Sequence, residues 1–147
     1  MNVLIREATL KDREWIRDCA LQHAPVFYPR LRPDREKIDA LVTDCISSPA
    51  HYARVIECDG KIRGCLLAFV NPMQWAERQV ARIMLWVSYI PMAGVRALRE
   101  FRDWVLTRRG IKIAGMAPDF DWPDERVGHL IERIGFCKTG ANYMYYN

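Results

Sequence analysis

The run Val55-Ile56-Glu57-Cys58-Asp59-Gly60-Lys61-Ile62-Arg63-Gly64 decides the fold. Asp59-Gly60 is a two-residue turn signal between two apolar flanks, so residues 52–58 and 62–70 read as the arms of a β-hairpin. Residues 80–88 (Val-Ala-Arg-Ile-Met-Leu-Trp-Val-Ser) read as a further strand, rich in β-branched and aromatic residues. Three strands therefore follow one another in the middle of the chain.

Upstream of the hairpin the pattern changes to helical. Residues 3–8 predict a short strand. Thr9-Leu10-Lys11-Asp12 matches a capping box and starts a helix with Trp15, Ile16, Cys19 and Ala20 on one face, expected to end before Pro25. A loop carrying Pro25, Pro29 and Pro33 follows, and Asp34 caps a second helix. Its apolar positions, Ile38, Leu41, Val42, Cys45 and Ile46, follow the i, i+3, i+4, i+7, i+8 series, and Pro49 ends it.

Downstream, residues 71–78 read as irregular. Pro91-Met92-Ala93-Gly94 breaks the chain after the fourth strand. A helix over 95–108, closed by Gly110, carries Val95, Leu98, Phe101 and Val105 on one side. Residues 111–117 predict a fifth strand. An acidic turn with Asp119, Asp121 and Trp122-Pro123 leads to a helix bearing Val127, Leu130, Ile131 and Ile134, closed by Gly135. Residues 140–146 form a last strand with Tyr143, Tyr145 and Tyr146. The order is β-α-α-β-β-β-α-β-α-β. A doubly wound sheet would alternate strictly, so the expected class is an α/β (α+β) domain on a mixed sheet.

The chain has 147 residues, the size of one domain spanning 1–147. No apolar run approaches the ~18 residues that cross a bilayer, and the start, Met1-Asn2-Val3-Leu4-Ile5-Arg6, has no basic-then-apolar leader. The cytoplasm is the expected location, with no membrane partner. Five cysteines, 19, 45, 58, 65 and 137, lack Cys-x-x-Cys spacing, and His23, His51 and His129 stand far apart. Neither a disulfide framework nor a metal site is expected. The net charge of +4 suits an anionic ligand, or nucleic acid, although no nucleic-acid motif is present.

The element order and its landmarks resemble the GNAT superfamily of acyl-coenzyme-A-dependent N-acetyltransferases along the whole chain. Ile5-Arg6-Glu7-Ala8-Thr9-Leu10-Lys11-Asp12 is similar to that family's opening strand and capped helix. The hairpin with its Asp-Gly-Lys turn resembles strands two and three. Leu85-Trp86-Val87 resembles the apolar end of strand four, and Ile131-Glu132-Arg133-Ile134-Gly135-Phe136 the Gly-Phe signature.

The resemblance implies acetyl transfer from acetyl-CoA to an amine by direct attack. Backbone groups of Leu85, Trp86 and Val87 would hold pantetheine, and Ala93, Gly94, Val95, Arg96 and Ala97 the diphosphate. Arg96 and Arg99 would touch phosphate. Glu77 would be the base, and Tyr143 or Tyr145 the acid. Asp119 and Asp121 would flank the cleft mouth, and Trp75 and Trp122 the acceptor pocket. A homodimer is compatible with the family.

Four positions depart from the family pattern. Pro91 stands where Arg or Gln is usual in the diphosphate loop, and Arg96 where Gly or Ala is. Asp124 takes the place of an asparagine. Ile131 takes the place of the acidic tyrosine. Two alternatives therefore stand beside the enzyme: a non-catalytic GNAT-like binding or structural protein of phage type, and a nucleic-acid-directed modifying protein.

Overall fold

In the computed structural model the described residues are 1–27, 30–116 and 125–139. Their order is β1 (Val3–Glu7), a 3-10 turn (Leu10–Asp12), α1 (Arg13–Phe27), α2 (Arg35–Ser47), β2 (Tyr52–Cys58), β3 (Lys61–Pro72), β4 (Gln79–Ser88), α3 (Ala93–Thr107), β5 (Ile111–Met116) and α4 (Glu125–Ile134). The expected final strand, with Tyr143, Tyr145 and Tyr146, lies outside the described residues. So does the acidic turn with Asp119, Asp121, Trp122 and Asp124.

The five strands form one sheet in sequence order. β1 to β4 are antiparallel neighbours, and β5 joins β4 in parallel after the α3 crossover. Asp59 (φ 50°) and Gly60 (φ 76°) form the hairpin turn with two successive left-handed residues. The Asp59 carboxylate accepts the Asn2 N–H at 2.9 Å, which fastens β1 to the turn.

Helices cover both faces of the sheet. α1 and α2 bury Ile16, Val42 and Cys45 against Ala53, Val55, Cys65, Leu67 and Leu85. α3 buries Val95, Leu98 and Phe101 against Tyr52, Leu66, Ala68 and Ile83 on the other face. α4 adds Ile134 to that second core, and Arg102 Nη1 donates to the Ile134 carbonyl at 2.8 Å to hold α4 on α3.

Several boundaries differ from the sequence expectation. α1 runs through Pro25 to Phe27. Proline removes only one N–H, and this one lies within three residues of the helix end. The capping-box segment forms a separate 3-10 turn before α1, with the Thr9 N–H donating to Asp12 at 2.8 Å. β3 and β4 extend to Pro72 and Gln79, because their ladder continues through Asn71↔Val80. That shortens the irregular connection to 73–78. α3 begins at Ala93 rather than 95. Gly110 is not its cap: the helix ends at Thr107, and Gly110 instead passes close to Gln79, whose N–H donates to the Gly110 carbonyl at 2.9 Å.

Candidate functional site

The sheet opens between β4 and β5. Their pairing runs from Gln79↔Ile111 to Ile83↔Met116, and β4 continues to Ser88. Among the described residues, 84–88 have no partner on β5, and 85–88 pair only with β3. A bulge lies at the point of opening. Ile83 faces Ala68 and Leu85 faces Leu67, so Met84 has no partner on β3. Met84 and Leu85 both pack towards the α1–α2 layer, whereas Ile83 and Trp86 pack towards α3. The bulge re-aims the strand there and leaves polar backbone atoms out of the ladder.

β4 leads directly into the α3 N-terminus. Met92 takes a left-handed conformation (φ 63°, ψ −15°), so Ala93 and Gly94 are already helical and buried instead of lying in a loop. The Ala93 N–H donates to the Ile90 carbonyl at 3.3 Å and the Arg96 N–H to the Met92 carbonyl at 3.1 Å. Between them, the Gly94 and Val95 N–H groups have no hydrogen-bond acceptor among the described residues. Two adjacent amide donors at a helix start, with the positive end of the helix dipole, suit an anion.

Gly94 lets the helix approach β4. A Cβ at Gly94 would stand 2.9 Å from the Ser88 Cβ and 3.4 Å from the Trp86 ring nitrogen. Trp86 Nε1 donates to the Gly94 carbonyl at 3.0 Å. A bulky residue at Gly94 would thus disturb helix seating as well as any ligand. Met92 is the cleaner probe of this corner. A non-glycine residue at positive φ carries strain on the order of 1 kcal/mol, so Met92→Gly is expected to raise stability by about that amount. An unchanged or lower unfolding midpoint would contradict it.

The charged groups are unevenly distributed. Residues 61–116, which include β3, β4, α3 and β5, hold ten lysines and arginines against three acidic residues, whereas the whole chain is only +4. Arg99 is exposed on the first turns of α3. Arg96 is engaged elsewhere: its Nε donates to Glu100 at 3.2 Å and its Nη1 to the Val3 carbonyl at 3.4 Å.

The structure therefore brings Leu85, Trp86, Val87, Ala93, Gly94, Val95 and Ala97 to one corner. Ala93, Val95 and Ala97 present buried side chains, so backbone groups are what they offer a ligand. Glu77 is not there. It is exposed in the 73–78 connection, at the opposite end of β4 from Ser88. Trp75, 92% exposed, sits in the same connection. His129 is exposed on α4.

Sequence reasoning missed a cluster beside the site. Trp15 and His23 lie eight residues apart on α1, and both meet Tyr89, just beyond β4. His23 Nε2 lies 3.1 Å from the Tyr89 hydroxyl, and Trp15 meets the Tyr89 ring edge-on at 6.5 Å. The spacing of 15, 19 and 23 signalled one helix face. Nothing local pointed to a partner 66 residues away.

No family profile and no curated protein matches this chain. Solved structures do. A possible acetyltransferase from Clostridium difficile 630 has a TM-score of 0.73 and 12% identity, covering 100% of this chain and 98% of that one. An aminoglycoside acetyltransferase, meta-AAC0020, from an uncultured soil metagenomic sample in complex with sisomicin, has a TM-score of 0.68 and 18% identity, covering 99% and 95%. A GNAT family acetyltransferase from Staphylococcus aureus subsp. aureus USA300_TCH1516 has a TM-score of 0.64 and 12% identity, covering 100% of both. The fold is that of the GNAT acetyltransferases, a mixed α/β architecture on a five-stranded described sheet.

Proposed function

We propose that the protein is an acyl-CoA-dependent N-acetyltransferase acting on a small amine. The observation that carries this is the continuity of the β4 segment 84–88, which has no β5 partner among the described residues, with the Gly94 and Val95 N–H groups of α3, which have no acceptor among them. An extended pantetheine arm fits the first as an added strand, and a diphosphate fits the second. The excess of basic residues over 61–116 favours the same polyanion. The kinship in fold with acetyltransferases, one of them an aminoglycoside acetyltransferase, agrees with an amine acceptor.

In the reaction, the neutral amine attacks the thioester carbonyl carbon, the C–S bond breaks, and the amine's surplus proton leaves as the coenzyme thiolate gains one. Unpaired backbone atoms at the Met84 bulge lie beside the thioester in this arrangement. The proposed proton donor to the thiolate is Tyr143 or Tyr145. Met84 stands five strand residues from Gln79, about 17 Å at the strand's rise, and Glu77 lies past that end of β4, beyond direct proton transfer. Its proposed role is contact with a cationic acceptor at that end. Glu77→Gln is thus expected to leave kcat within about threefold while raising the acceptor KM, whereas a base would cost 10²-fold or more in kcat.

The test is thermal unfolding with and without millimolar acetyl-CoA. At about 100 times its Kd a ligand adds roughly 2.7 kcal/mol, which raises Tm by several degrees in a domain near this size. A shift, followed by acetyl transfer in an amine screen, supports the enzyme. A well-folded protein with no shift sinks the reading.

A further inference from the structure

β4 and β5 begin side by side. The Gln79 N–H donates to the Gly110 carbonyl at 2.9 Å, and Gln79 pairs with Ile111, Val80 with Ile113 and Arg82 with Gly115. The skip from Ile111 to Ile113 leaves Lys112 as a bulge without a β4 partner. Two hydrogen bonds at 2.8 Å, from the Met73 N–H to the Arg78 carbonyl and from the Arg78 N–H to the Ala76 carbonyl, close the 73–78 connection at the same end. This register gathers Arg78, Arg82, Arg108, Arg109 and Lys112 at one edge of the sheet, all of them exposed.

Five of the ten lysines and arginines of residues 61–116 therefore stand here, and Glu77 is the one acidic residue in 73–82 and 108–116. None of the five forms an ion pair among the described residues, whereas seven other arginines, Arg6, Arg17 and Arg54 among them, each hold a carboxylate. Arg108 is steadied by Trp104, with its guanidinium carbon 4.7 Å from the ring centre. A pocket of about 250 Å³ lies between Gln79, Arg108, Arg109 and Gly110, with room for a phosphate group. The Arg109 and Gly110 N–H groups at its rim have no acceptor among the described residues. Trp75, 92% exposed, stands in the closed connection three residues before Arg78. The ten residues of β4 separate this end from Ser88 and the α3 N-terminus, so these cations are not the ones that would meet the coenzyme.

We propose that this end of the sheet is a docking surface for single-stranded nucleic acid, with phosphates on Arg78, Arg82, Arg108, Arg109 and Lys112 and a base stacked on Trp75. Unpaired cations beside an exposed indole match an unstacked base and its phosphates. A duplex keeps its base faces covered, and an acidic peptide offers charge without a flat ring. Phosphates seated on the cations would also offset the positive field around Glu77, so the surface is compatible with a cationic acceptor there. The surface does not depend on the coenzyme reading.

The test is fluorescence anisotropy of a labelled oligothymidylate of about 12 nucleotides. Affinity is expected to fall with salt with a log–log slope of about −3, the value for four or five phosphates on a single strand. The double variant Arg78→Gln, Arg109→Gln should weaken binding and flatten the slope by about 1.4. Trp75→Ala should weaken binding on the order of tenfold and leave the slope alone. The substituted side chains are exposed, so the unfolding midpoint should stay where it is. No binding at about 50 mM salt, binding that neither variant changes, or equal affinity for a duplex of the same length overturns the proposal. So does displacement by polyglutamate at equal charge, which would assign the surface to an acidic protein. Displacement by acetyl-CoA overturns it as well, because the oligonucleotide would then occupy the α3 corner. A failure here leaves the thermal shift with acetyl-CoA untouched, so the two readings fall separately.

Discussion

Phe101→Ala is expected to remove 3–5 kcal/mol of stability, the usual cost of deleting a buried aromatic side chain. Phe101 is fully buried on α3, at the centre of the core between α3 and the sheet. Its ring meets Tyr52 of β2 edge-on at 5.2 Å and stacks on Trp104 at 6.2 Å. Neither neighbour can fill the space, since each is held by the other at 5.0 Å and by cation contacts, Arg54 over Tyr52 and Arg108 over Trp104, both at 4.7 Å. Domains of this kind hold only about 5–15 kcal/mol in total. The variant should thus unfold at a much lower denaturant concentration with an unchanged m-value. Phe101→Leu, which keeps most of the volume, should recover more than half of the loss. A change below 1 kcal/mol for the alanine variant would mean that α3 is not seated by this residue. The functional link is direct. α3 carries the free Gly94 and Val95 N–H groups, so loosening its seat should also shrink any acetyl-CoA shift.

How far the sequence foretold this arrangement depends on how local each signal is. Asp59-Gly60 was legible because both residues suit left-handed backbone and the flanks pair with each other. The helical series of α2 was legible too, and Val42 and Cys45 are buried as expected. Leu41, in the same series, is 43% exposed, because the apolar stripe is wider than the seat beneath it. The Met84 bulge was not legible. Arg82-Ile83-Met84-Leu85-Trp86 contains no glycine or turn residue, and the shift is set by the fit of β4 to β3. The left-handed Met92 was equally hidden, since methionine has no preference for that region. That one conformation turned an expected Ala93-Gly94 loop into helix.

The site was legible as a place more than as a set of side chains. The α3 N-terminus follows β4 directly in the chain, and Trp86 Nε1 bonds the Gly94 carbonyl at 3.0 Å. Arg96 was foreseen on phosphate, but its guanidinium is drawn to Glu100 and the Val3 carbonyl. The i, i+4 pair with Glu100 along its own helix is visible in the sequence and competes for the guanidinium. Glu77 was placed by its nearness in sequence to the fourth strand. The strand's ten residues then hold it away from the corner where α3 begins. Distance along an extended strand accumulates at about 3.3 Å per residue, so nearness in sequence is a poor guide to a shared site there.

Asp12→Ala should cost about 2–3 kcal/mol near neutral pH, less than the 3–5 kcal/mol seen when a fully buried ion pair is broken. Asp12 is a buried charge, 5% exposed, and accepts two hydrogen bonds from Arg6, at 2.8 and 3.0 Å, plus the Thr9 N–H at 2.8 Å. The loss falls short of the full figure because Arg6 keeps Glu57 at 2.8 Å and is itself partly exposed. The hydrogen bonds from Arg6 hold the Asp12 carboxyl below the ordinary carboxylate value, against burial, which pushes it up. A depressed folded-state value fixes the sign of the pH dependence. The stabilisation is complete above the unfolded carboxylate value, about 4, and is lost as pH falls through the lower folded value. The stability difference between wild type and Asp12→Ala should therefore be flat from about pH 5 to 8 and shrink in stronger acid. A difference that persists undiminished to pH 2 would assign the effect to packing instead of charge. The consequence extends past the pair. Asp12 ends the turn that starts α1, and α1 presents Trp15 and His23 to Tyr89. A frayed α1 start should loosen that face as well.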